Sequence, residues 1–412
     1  MHTRRAFLRN SGIAMFGVGL APAWLSRAAH ANNLPASGRK KILVAVFQRG
    51  AADGLNVVVP FGDPDYYALR PSIAIPKPDG TTNAALDLDG FFGLHPALAP
   101  LVPVFQAGEL AIVEAAGSPD PTRSHFDAQD YMESGTPGIK ATNDGWLNRS
   151  LMPEQRPSPV RAVSIGSDLA RSLRGPNEAV AIANIGDFQI RDAGTQNTFE
   201  AMYGDSVDTV LHGPAQETFE AVKLIQAVQK QKYTPFGGAR YPGGPFGQAI
   251  LQVARLIKAN VGVEVAFADV GGWDTHVNEV GGKPTEGQLA NRLTEFGQAL
   301  AAFYRDMGDR MADIVVVTMS EFGRTARENG DRGTDHGHAN VMFAIGGGVR
   351  GGKVYGDWPG LAHERLYEGR DLALTTDFRD VLGECVTKHL GGRSVADVFP
   401  GHNQPRFRGL LG

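Results

Sequence analysis

The sequence predicts an α/β protein, a three-layer sandwich with a mainly parallel central sheet and a mid-chain insertion. Three observations carry that expectation. Short apolar, β-branched runs alternate with longer amphipathic segments along most of the chain. The apolar runs end in loops that hold Gly and polar residues. The stretch 150–245 breaks the alternation, being mixed and rich in Gly, Pro and Gln, and reads as an insertion or cap.

The first residues stand apart from the fold. TRRAFLRNSGIAMFGVGLAPAWLSRAAHA (3–31) places Arg4 and Arg5 before Phe7 and Leu8, then a weakly apolar stretch ending in Ala29-His30-Ala31. Paired arginines, a modest apolar region and a small-x-small end make a twin-arginine export signal over 1–31, with the folded domain at 32–412. The expected destination is the periplasm or beyond, with the twin-arginine translocase as a transient partner. That route carries folded proteins, so a metal can be loaded before export.

In the domain, KILVAVFQ (41–48) reads as a buried strand and HPALAPLVPVFQAG (95–108) as a helix up to Gly108. LAIVEAAG (110–117) is a second strand, and after the loop SPDPTR comes a helix, SHFDAQDYMESG (124–135). Beyond the insertion, FGQAILQVARLIKAN (246–260) is an amphipathic helix and VEVAFADV (263–270) a strand. TEGQLANRLTEFGQALAAFYRDMGDR (285–310) is a long helix, followed by the strands DIVVVTMS (313–320) and ANVMFAIGG (339–347). Asp377 caps a last helix, DFRDVLGECVTKHLG (377–391).

Composition excludes several functions. The net charge of −4 becomes −8 once the four signal arginines are removed, and no basic run or aromatic-basic stripe appears, so nucleic acid is not an expected partner. Past the signal no apolar run reaches the ~18 residues of a membrane span. Cys385 is the single cysteine. It admits no intramolecular disulfide, and with Leu382, Val386 and Leu390 on one helical face it reads as a core residue.

Ligands of open α/β sheets gather beyond the carboxyl ends of the strands. There the chain offers Asp53 and Asn56, then Thr122, Arg123, Ser124 and His125, then Asp274 and His276, then Glu321 and Arg324. GTDHGHANVMFAIGGG (333–348) adds Asp335, His336 and His338 just before a strand. Singly these are turn formers and solvated histidines; together, five segments of carboxylate and imidazole without thiolate suit a divalent cation such as zinc or manganese. Ser124 has two readings that the residues leave open. It satisfies the capping-box spacing with Asp127, and a hydroxyl at a helix N-terminus beside a metal is also a suitable nucleophile.

The order of VEVAFADVGGWDTH, DIVVVTMSEFGRT, TDHGHANVMFAIGGG and LTTDFRDVLGECVTKHLG resembles the alkaline phosphatase superfamily, which includes sulfatases. GAADGLN, LHPALAPL, SHFDAQDYMESG, DGWLNR, GGWDTH, SEFGRT, DHGHA and VFPGH more closely resemble a twin-arginine-exported bacterial family known as domain of unknown function fifteen-oh-one. The superfamily resemblance implies an alkaline phosphatase-like fold. It implies that Asp274 and His276 hold one metal with His336 or His338, that Glu321 serves a second metal, and that Ser124 is the nucleophile. Arg324 is the expected oxyanion clamp, and Asp53 lies a few residues beyond the place of a further metal-binding Asp. Phe322 stands where the second metal's His belongs, and Asp274-Thr275-His276 is spaced more tightly than the superfamily pattern. The expected function is an exported metal-dependent hydrolase of a phosphate, sulfate or related ester, small or polymeric, with Ser124 or a metal-activated water attacking. The alternative is a non-catalytic exported protein with a structural metal, acting in envelope or surface assembly.

Overall fold

All six side chains of Leu43–Gln48 are buried, the condition of a strand covered by helices on both faces. That strand lies at the centre of the computed structural model, which describes residues 39–155, 157–187 and 209–412. The twin-arginine signal expected at 1–31 lies outside the described residues, as do 188–208 of the expected insertion.

In chain order the strands are β1 (Ile42–Gln48), β2 (Val58–Val59), β3 (Leu86–Asp87), β4 (Gly93–Leu94), β5 (Leu110–Gly117), β6 (Ala162–Ile165), β7 (Val180–Ile182), β8 (Val265–Val270), β9 (Ile314–Ser320), β10 (Asn340–Gly346), β11 (Lys353–Tyr355) and β12 (Thr376–Asp377). The longer helices are α1 (His125–Ser134), α2 (Thr209–Lys230), α3 (Pro245–Lys258), α4 (Gln288–Met307) and α5 (Phe378–Glu384). The main sheet has nine strands in the order β11-β5-β10-β9-β1-β8-β6-β7, with β12 also on β5; β2, β4 and β3 form a small separate sheet. Within the main sheet β10 runs antiparallel to both its neighbours, and every other pairing is parallel.

Alternation along the strands divides the core in two. Val44, Val46, Ile112, Ala266, Ala268 and Val316 pack with α3, α4 and the buried face of α2. Leu43, Ala45, Phe47, Val113, Phe267 and Val317 pack on the opposite face against Met132 of α1 and Phe378, Val381 and Leu382 of α5. A sheet between two helical layers is the three-layer sandwich expected.

Some elements differ from expectation. The single helix expected at 95–108 is two short pieces, a 3-10 segment Pro96–Leu101 and a helix Val102–Gln106. Pro100 and Pro103 lack the N–H that a continuous α-helix would require there. β6 and β7, within the expected insertion, extend the sheet beyond β8. The last helix passes from α5 into π geometry over Cys385–Leu390. Cys385 is buried, and that burial pushes its thiol up to about 12, so it is a core residue without thiolate chemistry.

Candidate metal centre

Parallel register brings three strand ends to one edge, because Gln48 of β1 pairs with both Val270 of β8 and Ser320 of β9. β5 runs in the same sense, so its exit loop, which leads to α1, rises there too. β10 runs the other way, and it is therefore the loop before it, carrying Asp335 and His336, that reaches the same edge. The loop after β9 pairs with that loop, since Thr325 N–H donates to Asp335 at 2.9 Å and Gly337 N–H to Gly323 at 2.8 Å. Gly50, at φ 117°, lets the loop after β1 close on the loop after β8; a Cβ there would lie 2.7 Å from the Asp274 nitrogen.

At this edge His125, Asp274 and His336 present donor atoms that all lie within 4.8 Å of one another. His336 Nε2 is 2.9 Å from His125 Nε2 and 2.9 Å from His276 Nε2. Asp274 Oδ1 lies 3.0 Å from His276 Nε2 and 3.3 Å from His336 Nε2, and Asp274 Oδ2 lies 3.4 Å from His125 Nε2. The other ring nitrogens face acceptors. His125 Nδ1 meets Glu321 Oε1 at 2.9 Å, His276 Nδ1 meets Asp335 Oδ1 at 2.9 Å, and His336 Nδ1 meets the Arg123 carbonyl at 2.9 Å.

A carbonyl or ionised carboxylate only accepts, so each Nδ1 carries the proton and each Nε2 presents a lone pair. Three lone pairs and a carboxylate at these separations repel, and the one cationic side chain that touches them, Arg324, reaches only Asp274 Oδ1 at 2.6 Å and, more distantly, His276 Nε2 at 3.5 Å. A single proton relieves one contact and leaves the other lone pair against lone pair. Imidazoles oriented from behind by carboxylate or carbonyl are the arrangement metal-ligating histidines adopt, and nitrogen and oxygen donors suit zinc or manganese. The residues present therefore fit a divalent ion.

Electrostatics follow the same geometry. The hydrogen bond to Glu321 raises the imidazole of His125, whereas burial lowers that of His336. Burial pushes the Asp274 carboxyl up, but the hydrogen bond and charge of Arg324 more than offset this and leave it lowered. Glu321 behaves likewise: burial acts against its ionisation, and the donors His125, Gln129 and Gly50 prevail. The hydrogen bond from His276 holds Asp335 low.

Of the residues singled out in the sequence, Asp274, His276 and His336 converge. Glu321 does not join them as a donor atom. Its Oε1 accepts from Gly50 N–H at 2.8 Å and Gln129 Nε2 at 2.8 Å besides His125, and its Oε2 accepts from Ser320 Oγ at 3.0 Å, so it orients His125 from behind. Asp53 is buried elsewhere, with both oxygens on Arg70 at 2.5 and 2.9 Å. His338 stacks on Tyr367 at 4.3 Å between ring centroids, away from the cluster. Arg324 is wholly buried and spends its N–H groups inside the protein, on the carbonyls of Ala51 at 2.7 Å, Thr334 at 3.0 Å, Gly50 at 2.7 Å and Trp273 at 3.0 Å, and on Asp274 Oδ1 at 2.6 Å. It ties three loops together, a geometry that differs from an oxyanion clamp. Ser124 is exposed and caps α1, its Oγ accepting from Asp127 N–H at 3.5 Å.

His125 joins the cluster as a donor, whereas the sequence offered it only as one of the polar residues at a strand end, with no assigned role. The available signal was the spacing of His125, Gln129 and Glu133, four residues apart on one helical face. Gln129 and Glu133 accept from Arg49 at 2.9 Å each, which docks α1 on the loop after β1 with His125 at the cluster. Phe322 lies in the same place, its ring 5.0 Å from those of both His125 and His336.

The chain is similar to several solved structures at low identity. The PsFucS1 sulfatase from Pseudoalteromonas sp. aligns at 12% identity and a TM-score of 0.41, over 95% of this chain and 76% of that one. A protein of the alkaline phosphatase superfamily from Vibrio parahaemolyticus aligns at 11% identity and a TM-score of 0.33, over 77% and 62% of the two chains. The alkaline phosphatase from the Antarctic bacterium TAB5 aligns at 11% identity and a TM-score of 0.29, over 75% and 93%. No curated protein matches the chain. Residues 109–393 match a family sequence model, and the chain accordingly belongs to the family described as Protein of unknown function (DUF1501).

Proposed function

We propose that this protein is an exported metal-dependent hydrolase of a phosphate, sulfate or related ester. The observation that carries the metal is the meeting of three imidazole Nε2 atoms and Asp274 Oδ1 while every Nδ1 is engaged from behind. Exposure supports catalysis over a closed structural site, since Asp274 keeps 45% and His276 38% of its side-chain surface open. When bound, a divalent ion there supplies Lewis acidity toward an ester oxygen and acidifies a nearby hydroxyl.

In this reading His125, Asp274, His276 and His336 hold the ion, and Glu321, Asp335 and the Arg123 carbonyl hold the imidazoles in the binding tautomer. Ser124, next in sequence to His125 and open to solvent, is the nucleophile. Its Oγ bonds to phosphorus or sulfur, the alcohol leaves, and water then cleaves the ester left on Ser124. Backbone N–H groups at the start of α1 face the developing negative charge. Export by the twin-arginine translocase, with the metal loaded beforehand, accords with Arg4 and Arg5 in the sequence.

The enclosure of Arg324 favours a second reading, a non-catalytic exported protein with a structural metal in envelope or surface assembly. The two readings part in one experiment. Full-length protein exported by its own signal is loaded with zinc or manganese and screened against chromogenic phosphate and sulfate esters. Turnover that disappears in both Ser124→Ala and His336→Ala supports the hydrolase. Tight metal binding with no turnover of any ester supports the structural reading.

A further inference from the structure

Behind the centre lies a second polar cluster, closed off from solvent. Asp53, Asn56, Tyr66, Arg70 and Glu279 are all buried. Tyr66 donates its hydroxyl to Asn56 Oδ1 at 2.6 Å, and Arg70 Nη1 donates to the same oxygen at 3.0 Å. Asn56 Nδ2 in turn donates to Glu279 Oε1 at 3.3 Å. The other carboxyl oxygen of Glu279 faces the centre, where Oε2 accepts from the Thr275 hydroxyl at 2.9 Å and from the Thr334 hydroxyl at 3.0 Å. Thr275 stands between Asp274 and His276, and Thr334 immediately precedes Asp335 and His336. The two threonines are joined as well through their backbones, Thr334 N–H donating to the Thr275 carbonyl at 3.2 Å.

We infer that Glu279 is a positioning residue for the metal centre, fixing the loop that carries Asp274 and His276 against the loop that carries Asp335 and His336. The inference rests on reading that cluster as a metal centre. Neither loop has a strand or helix at these positions to hold it, so their spacing depends on such ties. Metal affinity is sensitive to that spacing, because donor atoms must be held within about half an ångström of their working places. Glu279 is itself anchored, its N–H bonded to the Arg332 carbonyl at 2.9 Å and its carbonyl to the Leu289 N–H at 3.1 Å at the start of α4. The loops are thereby referred to a rigid helix.

The state of the carboxyl supplies a control. Burial, and after it the charge of Asp53, push Glu279 well above the usual carboxylate range. A glutamine amide imitates a protonated carboxyl in part: its oxygen accepts from both threonines and its N–H turns toward Asp53, at the loss of the 3.3 Å bond that Asn56 Nδ2 gives Oε1. Zinc affinity of the full chain is measured by competition with a chromogenic chelator, alongside thermal unfolding of the metal-free protein. The double variant Thr275→Val/Thr334→Val keeps side-chain shape and removes both ties. It is expected to unfold cooperatively and to bind zinc roughly ten- to a hundredfold more weakly. Glu279→Gln is expected to bind within about threefold of wild type, on the same outer-sphere scale. If the double variant does not fold, Thr275→Val alone carries the comparison, with a smaller loss. Wild-type affinity in the folded threonine variant overturns the inference and leaves the centre standing, and so does a Glu279→Gln protein as weak as that variant. A wild type that takes up no zinc overturns both.

Discussion

Glu114 stands within β5 with its side chain fully buried and its Oε1 without a hydrogen-bond partner. Burial pushes its carboxyl well above the usual range, so the folded protein retains a proton that the unfolded chain releases. The contribution of that proton to stability is full below the unfolded pKa, near 4.5, and is lost as pH rises toward the folded value. Glu114→Gln removes the titration. Urea unfolding is expected to show the stability difference moving in favour of the variant by about 1.4 kcal/mol per pH unit as pH rises above the unfolded value toward the folded one. A difference that stays flat with pH would show that Glu114 is ionised in the fold. At the same scale, Glu321 illustrates what residue type cannot reveal. A carboxylate at a strand end is legible as a possible ligand, but its engagement by three donors and His125 depends on where α1 docks. Glu321→Gln, which keeps the oxygen and loses the charge behind His125, is expected to weaken zinc binding by roughly tenfold or more in a chelator competition.

α1 was legible almost to the residue, because caps are local: Ser124 and Gly135, the latter at φ 71°, bound it as the sequence implies. The helix expected at 95–108 is interrupted because Pro100 and Pro103 decide the backbone there, although apolar periodicity runs through both. The long strands β1, β5, β8, β9 and β10 were legible from β-branched apolar runs, while the strands of two to four residues were not; strand direction was not legible either, since β10 has the composition of its parallel neighbours and yet runs against them. That reversal is what brings Asp335 and His336 to the same edge from the loop before a strand. The cap at Ser124 also permits a test of α1 as an element. Ser124→Asp is expected to be near-neutral for stability and Ser124→Ala to cost about 1 kcal/mol in urea unfolding. Both are expected to abolish ester turnover if Ser124 is the nucleophile; turnover surviving in Ser124→Ala removes it from that role.

Across the whole molecule, the donors come from sequence positions as far apart as His125, the first residue of α1, and His336, in the loop before β10, and meet at one edge of the sheet. A pattern of that kind is partly readable, because strand ends mark the edge, but the pairing of loops over such separations is a tertiary outcome that local sequence does not encode. An ion bound there would cross-link separate parts of the fold. An ion that binds the folded chain and finds no such set in the unfolded one stabilises by mass action, by about 2.7 kcal/mol when free metal stands at a hundred times Kd. Phe322 fills the space beside His125 and His336 with hydrocarbon, and Glu321 has no oxygen to spare, so about one tightly held ion per chain is expected by elemental analysis. Chelation should therefore lower Tm by several degrees, and returning zinc should restore it. His336→Ala deletes the imidazole that meets both other rings, so its Tm should already be low and should not respond to chelator. A wild type whose Tm ignores chelation, or a His336→Ala protein that responds as wild type does, would mean that the ion, if any, binds somewhere other than this edge.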